Sequence, residues 1–116
     1  MEQVPEEIIA RRRYLRGGSE QQLPPIEVEI GAPVKSPHSD DEFMCSLRLK
    51  STNWERAETV YGFDELQALL LALGYLEAIL KRLDSSGNLR WAGGEAGDLG
   101  IRIPTFVDEY PHSGSL

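Results

Sequence analysis

The residues that most invite a chemical reading lie late in the chain, in the run WAGGEAGDLG at positions 91–100. Four glycines within residues 92–100 suggest a backbone that approaches something closely, and a phosphate cradle is the first thought. Such a cradle stands between a strand and a helix and usually carries a lysine. Here Glu95 and Asp98 would repel a phosphate, and no lysine falls in the run. The run therefore reads as a tight loop that uses glycine for unusual dihedrals. Glu95 and Asp98 are held at its surface, where a ligand or partner would touch.

Other candidates are poorer. His38-Ser39-Asp40-Asp41-Glu42 gathers acids that could face a divalent cation, but it lacks the mid-loop glycine and terminal glutamate of a calcium loop. It reads as a solvated loop. Cys45 falls on the apolar side of an alternating segment, where a thiol behaves as a small inert hydrophobe. His38 and His112 are not placed to activate it or any serine. No catalytic residue, cofactor site or metal site is assigned. Arg11-Arg12-Arg13 with Arg16 resembles a nucleic-acid patch. On a strand, however, Arg12 points away from its two neighbours.

Those side chains need elements to position them. Residues 7–15 (EIIARRRYL) suit a strand. Residues 16–25 hold a glycine pair and a proline pair and read as a turn. IEVEI at 26–30 and FMCSLRL at 43–49 alternate strictly, the pattern of half-buried strands, and a polar loop at 31–42 separates them. Residues 55–61 (ERAETVY) make a fourth, weaker strand. Asp64 is an N-cap with Gln67 at the capping-box spacing, and leucines then recur at threes and fours to Leu83. Lys81 and Arg82 suit the negative end of that helix, and Gly87 ends it. Leu89-Arg90-Trp91 suits a short strand, and residues 101–107 (IRIPTFV) are extended and apolar.

The charges suggest registers. Setting Tyr14 against Ile26 and Ala10 against Ile30 also sets Arg13 against Glu27 and Arg11 against Glu29, matching both faces at once. Continuing the pattern pairs Val28 with Leu47, Ile30 with Cys45 and Glu27 with Arg48, then Leu47 with Thr59, Cys45 with Tyr61 and Arg48 with Glu58. The outer face becomes a checkerboard of Arg11, Arg13, Glu27, Glu29, Arg48, Lys50, Arg56 and Glu58. Arg12 alone breaks it. It is expected to sit at an edge, to snorkel, or to meet a helix acid such as Glu77. The helix covers the inner face with an apolar arc of roughly 220°, where a single sheet needs a stripe of only about 100°. Trp91 and residues 101–107 are expected to cover the surplus, with a second copy of the chain as the alternative.

Composition bounds the rest. The chain has 116 residues, one cysteine and a net charge of −7. It fits one domain with an adequate core. The acidic balance argues against nucleic acid as a partner. The leucine-rich stretch is broken by Gln67, Glu77, Lys81 and Arg82, which argues against a membrane span. An acidic, polar start points to the cytoplasm.

Four segments carry a resemblance: residues 8–14 (IIARRRY), 26–33 (IEVEIGAP), 61–69 (YGFDELQAL) and 91–98 (WAGGEAGD). On these the chain resembles a family of small bacterial proteins carried as a domain of unknown function. The resemblance implies a bacterial, single-domain protein and no catalytic residues. The stretch 17–25 and the tail after Val107 look peculiar to this chain.

The expectation is therefore an α+β domain over residues 7–107, with a flexible arm at 1–6 and a flexible tail at 108–116. It consists of a four-stranded antiparallel β-meander packed against one long α-helix, with an extended glycine-rich C-terminal segment. The expected function is a non-enzymatic protein–protein interaction module, monomeric or homodimeric, with another protein as partner. The expected contact surface is Arg11, Arg13, Glu27, Glu29, Arg48, Glu95 and Asp98. Two alternatives stand beside it. One is an immunity or antitoxin-type acidic inhibitor of a basic toxin. The other is an enzyme that binds a small molecule or metal at the 93–100 loop.

Overall fold

A computed structural model describes residues 7–17, 23–84 and 87–102. In chain order the elements are β1 (Ile8–Arg16), β2 (Leu23–Gly31), β3 (Val34–Lys35), β4 (Phe43–Lys50), β5 (Glu55–Gly62), α1 (Glu65–Leu83) and β6 (Arg90–Trp91). The fold is the expected α+β arrangement of an antiparallel sheet on one helix, with six strands among the described residues where four were expected. The short strand expected near Trp91 forms and pairs with β1, setting Tyr14 opposite Trp91. The loop read at 31–42 contains β3, which continues past the turn after β2 and pairs with the start of β4. β2 also begins earlier than expected and includes Pro24 and Pro25. These prolines cost little there, because β4 pairs only with residues 27–30 of β2, so no second neighbour asks for their missing N–H groups.

The β1–β2 register is the one the charges suggest: Arg11 opposite Glu29, Arg13 opposite Glu27, Tyr14 opposite Ile26. The next two pairings differ. β4 slides by two residues, so that Val28 meets Leu49, Ile30 meets Leu47 and Glu29 meets Arg48. A shift of two keeps every side chain on its expected face. β5 slides by one: Leu47 meets Glu58, Leu49 meets Arg56 and Ser46 meets Thr59. This turns Arg56 and Glu58 to the helix face and Thr59 and Tyr61 to the outer face, so the checkerboard loses two members. The helix supplies the reason. Tyr75 donates its hydroxyl proton to Glu58 at 2.9 Å, and Glu58 also pairs with Arg56 at 3.1 Å. Charged groups on the inner face are thus satisfied at the sheet edge.

The helix starts as the sequence reads. Asp64 accepts from Gln67 N–H at 2.7 Å, and the Gln67 side chain accepts from Phe63 N–H. A side chain on Gly62 would press within 2.7 Å of the Ala68 backbone nitrogen, so glycine there lets the strand run straight into the helix. Helix α1 lies across β4 and β5. Ala68, Ala72 and Leu80 are sealed against Leu47, Leu49 and Cys45, all at 0 % exposure. Small residues on the helix allow this close approach. Leu89 and Leu99 join the same core, with Trp91 and Ile101 packed against it. The expected cover from Ile103, Phe106 and Val107 lies outside the described residues, as do the arm at 1–6 and the tail at 108–116.

Candidate functional site

On the outer face, the expected contact residues are brought together and neutralise one another. Glu29 accepts from Arg11 Nε at 3.3 Å and from Arg48 Nε at 2.8 Å, with Arg48 Nη2 on the same oxygen. Arg48 also stands 3.8 Å from Glu55, and Arg13 pairs with Glu27 at 2.6 Å. The Glu29 side chain is only 10 % exposed under this lattice. The Arg48 guanidinium, helped by Arg11, holds its carboxyl below the usual glutamate range against the opposing effect of burial. Paired in this way and with Glu55, the three arginines and three glutamates form a polar surface on which each charge has an opposite partner.

Glu95 and Asp98 do not join that surface. Asp98 works inside its own loop, accepting from Gly100 N–H at 2.9 Å, while its backbone N–H donates to the Glu95 carbonyl. Cys45 is fully buried, its thiol directed at the Gly31 carbonyl at 3.4 Å, and burial pushes the thiol pKa up. The acidic run at 38–42 is exposed up to Asp41 and half-buried at Glu42, its turn held by Ser36 and Ser39 hydroxyls. Among the described residues, no group of three His, Cys, Asp or Glu side chains stands close enough to hold a metal ion. Among them, too, no helix is long and apolar enough to cross a membrane.

The constellation that stands out is built around Arg12, on the inner face of β1. The helix covers β4 and β5, so the β1–β2 half of that face must be closed by something else. The segment 92–102 does it. Arg12 Nη1 donates to the carbonyls of Leu99 at 3.3 Å and Gly100 at 2.8 Å. Its guanidinium lies over the Trp91 ring, 4.6 Å from the centroid. Tyr14 adds its hydroxyl, donating to the Leu99 carbonyl at 2.6 Å, and its burial raises the phenol pKa. Arg12 therefore snorkels to the loop. Glu77 is not its partner but sits 3.8 Å from Lys81. Among the described residues no carboxylate pairs with Arg12.

The glycines of the loop now have a cause. A Cβ on Gly94 or Gly100 would lie 2.6 Å from Trp91 Nε1, and one on Gly100 would also lie 2.8 Å from Arg12 Nη1. Gly100 further holds φ at +63°, the left-handed region. Trp91 itself is half-buried, but its Nε1 is buried and has no hydrogen-bond partner among the described residues. A cavity of about 330 Å³ remains between this loop, the sheet and the helix, walled by Tyr14, Val28, Ile30, Leu73, Leu76 and Ile101. A second, more polar one of about 560 Å³ adjoins it, bordered by Glu77, Lys81 and Asp98. Arg12 and Arg102 border both. The sequence contained two signals for this site: the arginine that broke the inner-face alternation, and the glycine-rich run beginning at Trp91.

Fold and site together define a class: an α+β sheet domain that, among the described residues, has one half of its inner face covered by a helix and the other by an arginine-anchored loop. A family model described as "Domain of unknown function (DUF6968)" matches residues 10–103, and the chain belongs to that family. No curated protein and no solved structure matches the chain.

Proposed function

We propose that the protein is a non-enzymatic interaction module that binds another protein through the start of α1. The observation that carries this is Phe63. It occupies the position before the N-cap, where an apolar residue ordinarily packs on the fourth helical residue. That residue is Ala68, already buried under Gly62, and Phe63 is left 81 % exposed. Leu66, at 64 %, and Leu70, at 44 %, continue along one flank of the helix. Exposed aromatic and leucine side chains grouped in this way suit a contact surface. The acids Asp64 and Glu65 stand among them, and the chain carries a net charge of −7. The partner this fits has basic residues around an apolar patch, since complementary charge speeds and orients association. A bacterial, cytoplasmic setting belongs to the same reading, as does the narrower case in which the basic partner is a toxin masked by binding.

Affinity capture from the native cell, with the wild-type chain and with the double substitution Phe63→Ser and Leu66→Ser, tests it. The expected result is one basic protein recovered with the wild type, reduced about ten-fold by the double substitution and by high salt. A set of captured proteins indifferent to the substitution overturns the proposal. So does a self-dimer that the substitution dissolves.

A further inference from the structure

The cavity beside Arg12 is a separate feature from the Phe63 patch and carries its own inference. We propose that it is a binding site for a small amphipathic carboxylate, whose apolar tail fills the space between β1, β2 and α1 and whose carboxylate meets Arg12 and Arg102. Three observations converge on that ligand class. The volume, about 330 Å³, lies in the range of small-molecule pockets, and Val28, Ile30, Leu73 and Leu76 give it apolar walls. Arg12 and Arg102 stand at its border, shared with the polar cavity beyond. Arg12 is held in place by two carbonyls and the Trp91 ring, yet pairs with no carboxylate among the described residues. A half-buried guanidinium that is already fixed loses little freedom on taking an anion, and charge-assisted bonds to carboxylates are the strong ones. Elsewhere in the sheet, Arg11, Arg13, Arg48 and Arg56 each have a carboxylate partner. Arg12 differs from them in lining the cavity without a carboxylate partner among the described residues; Arg11, which also lines it, is paired with Glu29.

Trp91 supplies the readout, because it lies against the guanidinium that the ligand would engage. The full chain carrying Trp54→Phe has Trp91 as its sole tryptophan. Decanoate titrated into this protein is expected to shift Trp91 emission saturably, at one site per chain. Decanol, which has the tail without the charge, binds at least about ten-fold more weakly, and acetate, which has the charge without the tail, gives no change. Ala10→Leu narrows the cavity and Arg102→Gln removes an exposed charge that anchors no loop atom among the described residues. Each weakens decanoate about ten-fold while the urea midpoint stays in place. The proposal is overturned if the full chain shows no saturable change. Equal binding of decanoate and decanol, or an affinity unmoved by both substitutions, overturns it as well.

Discussion

The two halves of the sheet's inner face are closed by different means. Over β4 and β5 lies a regular helix, and Leu47, Leu49, Cys45, Ala68, Ala72 and Leu80 are excluded from solvent. Over β1 and β2 lies an irregular loop, held by one arginine, one tyrosine hydroxyl and an enclosed indole. The helix half is held together by shape, through many small dispersion contacts spread along an element whose backbone satisfies itself. The loop half depends on a few directional bonds to its carbonyls, and it leaves a cavity. Binding chemistry is found where packing is incomplete, and here the incomplete half also holds Arg12, which has no carboxylate partner among the described residues.

If the helix half is the stability core, truncation there is the most costly change. Leu47→Ala is expected to lower the free energy of unfolding by about 2–5 kcal/mol, read from the urea midpoint. A loss below about 1 kcal/mol would show that the halves are equally loose and break the contrast. Gly100→Ala strikes the loop half through backbone strain and through the close approach to Trp91 and Arg12. About 1–3 kcal/mol is expected, spent mostly on local opening. Hydrogen exchange should quicken at residues 90–102 and stay slow in β4 and α1. Uniform quickening would mean that both halves open together.

Cys45 turns the same contrast into a rate. Its thiol is buried beneath the helix half, with its pKa raised by burial. Labelling by a thiol reagent should therefore follow global unfolding. Leu47→Ala accelerates it strongly, whereas Gly100→Ala accelerates it only as far as it lowers global stability. Fast labelling of the native wild type would place an opening where the contrast allows none.

How much of this was legible beforehand depends on where the determinants lie in the sequence. The β1–β2 register is written twice, in apolar matches on one face and charge matches on the other, and both agree with the structure. The capping pair Asp64 and Gln67 is local and could be read directly. The face of β5 was not legible. Its alternation ERAETVY is weak, and the facts that decide it are distant: Tyr75 on the helix gives Glu58 a hydrogen bond and thereby lets charge sit inward. The site was half visible. Arg12 announced itself by breaking the alternation, but nothing nearby in sequence says that its acceptors are carbonyls more than eighty residues away. Trp91, for its part, explains the close packing of Gly94 and Gly100 only after the chain has folded back on β1.

Tyr14 gives the finest test, because it belongs to the loop half by a single bond. Its ring is packed in the core at 1 % exposure, and its hydroxyl donates to the Leu99 carbonyl at 2.6 Å. Tyr14→Phe keeps the ring and leaves that carbonyl to its remaining donor, Arg12 Nη1 at 3.3 Å. The expected loss is about 0.5–1.5 kcal/mol at neutral pH. The sign at alkaline pH follows from burial, which raises the folded phenol pKa above its ordinary value of 10.0. The unfolded chain then releases this proton first. The stability linked to the proton is present in full below pH 10.0 and is lost as pH rises through the folded value. Phenylalanine has no such proton. The gap between wild type and Tyr14→Phe should therefore be constant from neutral pH to about pH 9 and then narrow as the wild type alone weakens. The raised thiol pKa of Cys45 destabilises both proteins alike in that range and cancels in the difference. A gap that stayed constant through this range would mean that the folded phenol ionises as readily as the unfolded one, and that the loop half admits water where the structure closes it.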